Sequence, residues 1–139
     1  MSQQKIIIQA TVLADISKVW DCWTLPQHII NWNFASADWH CPSAENDLRT
    51  GGHFKYVMAS KDGGTSFDFE GVYNEVIEHK KLTYTMPDGR EVTVQFEDNG
   101  KTTAIVSAFD PENINPEEMQ QAGWQSILDN FKKYVESNM

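Results

Sequence analysis

Basic residues are in short supply in this chain of 139: 11 Lys and Arg stand against 20 Asp and Glu, a formal charge of -9. A phosphate backbone would be repelled, and no stretch gathers Lys and Arg into a compensating stripe, so nucleic acid and anionic membrane surfaces are excluded as partners. Long apolar runs are missing too. The longest aliphatic run near the N-terminus, Ile6-Ile7-Ile8, falls far short of the roughly 20 residues that a membrane span needs and is short for a signal-peptide core. The expectation is no membrane span and a cytoplasmic location. Cysteine is scarce: Cys22 and Cys41, in a chain without an export signal, read as reduced, semi-buried residues rather than a disulfide. Histidine is sparse and scattered. His40 adjoins Cys41, but His28, His53 and His79 follow no helical or CxxC register, so no metal site and no cofactor are expected.

What is present points to a well-filled core. Aromatic residues make up 12% of the chain, and the five tryptophans are spread from Trp20 to Trp124, so large rings are available to every element. The length suits one domain over residues 1–139, with enough buried surface to need neither disulfide nor metal.

Ile6, Ile8, Ala10 and Val12 alternate with Lys5, Ile7, Gln9 and Thr11, the period of two that makes a strand. The strand starts almost at residue one, so no upstream domain is expected. Asp15 is placed to cap a helix whose Ile16, Val19, Trp20 and Trp23 form one stripe. Thr24 and Pro26 then supply a cap and an early helical proline for a second short helix carrying Ile29, Ile30 and Trp32. From Trp39 the punctuation changes to Gly, Pro, Asn and Asp clusters spaced for a meander of strands. Phe54, Tyr56 and Met58 share one strand face; Phe67, Phe69 and Tyr73 share the next; Leu82, Tyr84 and Met86, then Val92, Val94 and Phe96, continue the series. Pro87-Asp88-Gly89 and Asn99-Gly100 carry turn chemistry, the latter opening a β-branched strand from about Thr102 to Phe109. Asn115-Pro116-Glu117-Glu118 reads as N-cap, N1 proline and acidic first turn of a helix with Trp124, Ile127, Leu128, Phe131 and Val135 on one stripe. Lys132 and Lys133 place positive charge near its negative end. The chain is therefore α+β: a helix-grip fold, with a curved antiparallel sheet of about six to seven strands around a long C-terminal helix and two short helices after the first strand.

Several strings, in order, add a family to that architecture. Val19-Trp20, Trp23-Thr24-Leu25-Pro26, Trp32, Asp47-Leu48-Arg49-Thr50-Gly51-Gly52-His53-Phe54, Gly71-Val72-Tyr73-Asn74-Glu75-Val76 and Gly123-Trp124 with Leu128 resemble the activator-of-heat-shock-protein-ATPase-like branch of the START-like (SRPBCC) superfamily across nearly the whole chain. The resemblance implies binding of apolar, lipid-like or amphipathic small molecules between helix and sheet. It also implies two other activities found among relatives: regulation of a chaperone's ATPase in the stress response, and cyclase-like or hydrolytic chemistry in the same cavity. The chaperone activators carry an additional N-terminal domain, and this chain departs from them there.

The candidate ligand-binding residues are the strand rings Phe54, Tyr56, Phe67, Phe69, Tyr84 and Phe96, together with Trp32, Trp124 and Leu128 from the helices. They suit either a close-packed core or a cavity wall, since a curved sheet gripping one helix favours a concave apolar space. Tyr56, Tyr84 or the indole of Trp124 would supply a polar anchor, and Met58, Met86 and Met119 are adaptable fillers. No catalytic residue is assigned. Asp68 and Glu70 fall opposite the aromatic face, as does His53. Asp38 and His40, two apart beside Trp39, are the first suspects for any chemistry at a cavity mouth, while Asp47 and Arg49 order a loop. The leading expectation is a non-enzymatic binder of a small hydrophobic ligand. A protein-interaction module for a chaperone or other partner, and an enzyme using the cavity, are the alternatives.

Overall fold

In the computed structural model, which describes residues 5–137, the alternation of the first strand becomes a burial pattern. In β1 (Ile6–Val12) the side chains of Ile6, Ile8 and Val12 are buried, whereas Ile7 stands in solvent. α1 (Ile16–Thr24) is capped by Asp15, whose carboxylate accepts the Lys18 N–H at 2.9 Å. α2 (Pro26–Ile29) follows after one extended residue, Leu25, with Pro26 in its first turn. Thr24 does not cap α2. Its hydroxyl donates to the Trp20 carbonyl at 2.8 Å, closing the end of α1 instead.

Six further strands form the meander: β2 (Trp39–Asn46), β3 (His53–Ser60), β4 (Ser66–Ile77), β5 (Lys81–Thr85), β6 (Glu91–Asp98) and β7 (Thr103–Phe109). All pairs are antiparallel and the sheet order is β1-β7-β6-β5-β4-β3-β2, so only the first strand leaves chain order, returning to lie on the far side of the last. Two register shifts, between His40 and Ser43 in β2 and between Tyr73 and Glu75 in β4, bend the sheet. Pro42 falls inside the first of them, on an edge strand, where its missing N–H breaks no ladder. At Asn99-Gly100 the glycine takes φ +86° and its N–H is bound by the Asp98 carboxylate at 2.9 Å.

The curled sheet holds α3 (Glu117–Ser137) in its concave face, with Leu128, Phe131 and Val135 buried. The start of α3 differs from the cap expected at Asn115. That side chain is committed to the Glu112 carboxylate, and the Pro116 carbonyl accepts the first helical bonds, from Met119 and Gln120. Gln120 is the clasp: its side chain accepts the Glu112 N–H at 2.9 Å and donates to the Asn115 carbonyl at 2.8 Å. The far end also differs. Because α3 runs on to Ser137, Lys132 and Lys133 stand before the last turn, and Lys132 binds the Thr11 carbonyl and the Glu136 carboxylate.

That contact belongs to a series. β1 is an edge strand whose outward backbone groups would be left unpaired, and α3 supplies their partners. Gln121 donates to the Ile7 carbonyl, Gln125 both donates to and accepts from the Gln9 backbone, and Glu136 accepts the Leu13 N–H. From Gln121 to Gln125 and from Lys132 to Glu136 the match is geometric, since two strand residues advance about 6.8 Å and four helix residues about 6 Å. Between them the long Lys132 side chain spans a seven-residue step.

Candidate functional site

Between α3 and the concave face lies a cavity of about 130 Å³. Its walls come from every layer: Ile8, Leu82, Val94 and Ser107 from the sheet floor, five sheet rings (Phe54, Tyr56, Phe69, Tyr73, Tyr84), Trp23, Trp32 and Asn33 from the helical segment, and Trp124, Ile127 and Leu128 from α3. The rings are held by one another. Phe54 contacts Tyr56, Phe69, Tyr73 and Tyr84 with centroids 4.8–5.8 Å apart. It lies directly across from Gly71, where an added Cβ would come within 2.9 Å of the Phe54 ring and 3.0 Å of the Thr85 carbonyl, so only glycine lets the ring fold over the neighbouring strand. On the helical side Trp23, Trp32 and Phe131 are mutually 4.8–5.1 Å apart, and the Trp32 indole is fixed by its bond to the Cys22 carbonyl at 2.9 Å.

One end of the cavity is polar. The Tyr73 hydroxyl donates to Asn46 Oδ1 at 2.6 Å, Asn46 Nδ2 donates to the Thr24 carbonyl at 2.7 Å, and the buried Tyr56 ring lines the cavity with Tyr73. Burial pushes the hydroxyls of Tyr56 and Tyr84 far up, and that of Tyr73 up to about 12. All three are neutral at physiological pH. Asn33 is 6% exposed and lies beside the Cys41 thiol, where its amide opposes the upward push that burial gives the thiol's ionisation. The neighbouring carbonyls of Trp32 and Phe34 are taken by the Asn130 side chain, and the Cys41 thiol donates to the Ser43 carbonyl at 3.3 Å. No Asp, Glu, His, Lys, Arg or Cys is among the described residues lining the cavity, whose polar side chains are Asn33, Ser107 and the three tyrosines.

Phe69 and Trp124 stand at the boundary with the outside. Their rings meet edge to face at 5.8 Å, Trp124 stacks on Phe109 at 3.9 Å, and both also line a surface groove of about 350 Å³ with Met86, Pro87 and Glu112. The groove carries four carboxylates (Asp68, Glu70, Asp88 and Glu112) and one cation, Arg90, which is paired to Asp88 at 2.7 Å. A larger depression of about 640 Å³ lies elsewhere, beside Ile77, Lys80, Lys81 and Asp98. It is open and mixed in charge, without the ring-lined enclosure of the central cavity.

Of the nine candidate residues, Trp32, Phe54, Tyr56, Phe69, Tyr84, Trp124 and Leu128 are brought together in one wall. Phe67 and Phe96 are not. Phe67 has the inward parity of Phe69 but lies past the end of the covered sheet, 49% exposed and 5.7 Å from the ring of Trp39. Phe96 is buried one layer back, under Trp20 and Trp23. Trp23, Asn33, Tyr73 and Ser107 complete the wall without having been singled out. Tyr73 shares its parity with Phe69, and Ser107 interrupts an otherwise apolar inward series, so both left a trace in the sequence. Asn33 left none, because it follows a short helix where no periodicity applies. Asp38 and His40 are exposed; His53 and Lys55 pair with Glu70 and Asp68 on the outer face at 3.3 and 3.5 Å; Arg49 binds Asp47 within its loop. Among the described residues no group of His, Cys, Asp and Glu could hold a metal ion, and no helix is long and apolar enough to cross a membrane.

Comparison with known proteins agrees with this architecture. The family described as activator of Hsp90 ATPase homolog 1-like protein matches residues 13–136. The solution structure of an AHSA1-like protein from Aeromonas hydrophila is similar at 46% identity, covering 96% of this chain and 93% of that one, with a TM-score of 0.91. Chr148 from Cytophaga hutchinsonii is similar at 52% identity over the same shares, with a TM-score of 0.82. NE0264 from Nitrosomonas europaea, at 19% identity over 98% of this chain and 96% of its own, shares the fold with a TM-score of 0.82. No curated protein sequence matches the chain.

Proposed function

The chain belongs to the activator of Hsp90 ATPase homolog 1-like family, and from that premise we propose that it binds a small hydrophobic or amphipathic molecule in the cavity between the sheet and α3. Family membership supports a ligand-binding helix-grip fold in general; the enclosed ring-lined cavity is the observation that supports this particular reading. Residues 1–139 act as one cytoplasmic domain, and Trp32, Phe54, Tyr56, Phe69, Tyr84, Trp124 and Leu128 contact the ligand directly. Phe96 acts behind them by supporting Trp23. The volume favours a single ring or a short chain, since a cavity of about 150 Å³ takes a benzene-sized guest, and larger ligands require Phe69 and Trp124 to part.

Native mass spectrometry of freshly purified protein tests this reading: a discrete extra mass, lost on denaturation, is expected. Phe69→Trp, which adds a ring at the cavity boundary, is expected to abolish that mass while leaving the circular dichroism spectrum unchanged. Full retention of the molecule by the filled variant would put it somewhere other than the cavity.

A second reading is supported by a separate observation. The exposed Phe67 ring lies against the half-buried Trp39, a surface suited to a protein partner, and the family is named for activation of a chaperone ATPase. Under that reading Phe69→Trp is silent, and Phe67→Ala weakens stimulation of the chaperone.

A further inference from the structure

Apart from the tyrosines, five polar side chains are buried among the described residues: Thr24, Asn33, Thr103, Ser107 and Gln120. The fold accounts for four of them. Thr24 donates to the Trp20 carbonyl, Thr103 to the Ala14 carbonyl at 2.9 Å, Gln120 clasps the start of α3, and Asn33 lies beside the Cys41 thiol. Ser107 is the fifth. It is 3% exposed and lines the cavity, and among the described residues its hydroxyl has no hydrogen-bond partner. Thr103 and Ser107 share the inward face of β7, so strand parity does not separate the bound hydroxyl from the unbound one. What stands opposite does: backbone in one case, the cavity in the other. In register, Ile8, Ser107, Val94 and Leu82 stand side by side across β1, β7, β6 and β5, and all four line the cavity. The serine is both the polar member of that row and its smallest, so hydroxyl and free volume occur together.

We propose that Ser107 anchors the ligand, a small uncharged molecule whose one carbonyl-type oxygen accepts the Ser107 Oγ proton; the inference rests on the cavity being the ligand site. A serine hydroxyl turns freely to meet an acceptor, and one buried without any carries a cost that a ligand oxygen removes. The walls set the charge. With no ionisable acid or base other than tyrosine among the described lining residues, a carboxylate or ammonium would leave water for a space that offers it no counter-charge. A hydrocarbon fits the same walls but leaves the hydroxyl as it is. Size agrees, because a six-membered ring with one substituent matches a cavity of about 130 Å³.

The test is titration of the ¹⁵N-labelled full chain, unaltered and as Ser107→Ala, with cyclohexanone, methylenecyclohexane and cyclohexanecarboxylate, read from chemical-shift changes at cavity residues. The first two compounds differ only in an oxygen replaced by a CH₂ group. Transfer from water favours the hydrocarbon whatever the site, so the quantity read is the change each affinity undergoes on substitution. Ser107→Ala is expected to weaken cyclohexanone about threefold to tenfold, the worth of one hydrogen bond, and to leave methylenecyclohexane bound as well or better. The carboxylate is expected to bind more weakly than the ketone. The ligand-free variant is expected to melt no lower than the unaltered protein, since its hydroxyl serves no contact of the fold. Should Ser107→Ala not fold, Ser107→Cys keeps the size with a much weaker donor and is expected to shift the ketone affinity in the same direction. Equal loss of ketone and hydrocarbon, no loss of either, a carboxylate bound as tightly as the ketone, or a clearly lowered melting temperature would each overturn the assignment while leaving the cavity a ligand site. Failure of all three compounds to move any cavity resonance would instead overturn the ligand-site reading on which it rests.

Discussion

Tyr73 concentrates two requirements in one side chain. Its ring packs against Phe54 in the cavity wall, and its hydroxyl donates to Asn46 Oδ1. Burial raises its ionisation to about 12, against an ordinary tyrosine value near 10 in the unfolded chain. The sign of the pH dependence follows. A raised folded-state value means that the stability held by the neutral phenol is intact below about pH 10 and is lost as pH climbs toward 12, because the unfolded chain then releases protons that the folded one retains. Denaturation midpoints in urea are expected to fall across that window, with phenolate absorbance appearing together with unfolding rather than before it. Tyr73→Phe is expected to cost about 1–3 kcal/mol at neutral pH by stranding Asn46 Oδ1, and to make the alkaline decline shallower. A phenolate signal from all four tyrosines near pH 10 in fully folded protein would contradict the burial of this cluster.

At the scale of elements, α3 does more than cover the sheet. Its apolar stripe closes the cavity, and its flanking polar side chains pair with the backbone of β1 at Ile7, Gln9, Thr11 and Leu13. Helix and edge strand are thus coupled by hydrogen bonds that neither makes internally. Gln125→Ala removes two of them at once. Amide exchange at Gln9 is expected to accelerate about tenfold or more, consistent with loss of a bond worth about 1 kcal/mol or more, while amides of β4 and β5 remain protected. Unchanged exchange at Gln9 would mean that β1 keeps its outer edge closed without the helix. The loop from β7 into α3 is governed similarly, by Gln120 rather than by a sequence-adjacent cap.

The whole molecule is arranged around a space that its sixteen aromatic residues, seven Phe, four Tyr and five Trp, do not fill. Curvature is responsible: the bends in β2 and β4 draw the sheet into a trough, where Phe54 and its neighbouring rings brace one another and Phe69 and Phe109 meet Trp124 of α3. Val94→Ile adds one methyl group at the cavity floor and is expected to raise stability by up to about 0.8 kcal/mol, the worth of a buried methylene, while weakening any ligand held there. Thermal melts with and without ligand check both effects. A lowered melting temperature would show the space to be closed by tighter packing in solution.

Much of this architecture is written in local pattern. The alternation of β1, the aromatic parities of β3 to β6, the Asp15 cap, the Asn99-Gly100 turn and the stripe of α3 are properties of near neighbours in the chain, and such properties survive folding because backbone geometry alone sets their period. Phe54, Tyr56, Phe69 and Tyr84 reached the wall because strand parity chose their face, and Trp124 and Leu128 because they belong to the apolar stripe of α3. Tertiary structure decided the rest. Phe67 and Phe96 have inward parity, yet one lies beyond the end of the covered trough and the other beneath a layer of tryptophan, and position along a curved sheet is not encoded in alternation. Thr24 and Asn115 carry the chemistry of caps but bond instead to near neighbours, Trp20 and Glu112, while Lys132 reaches a distant segment at Thr11. Asn33 is the clearest case. Nothing in its neighbours marks it, and it gains meaning only when the sheet, the short helices and α3 close around it and bury it at the cavity wall beside Cys41.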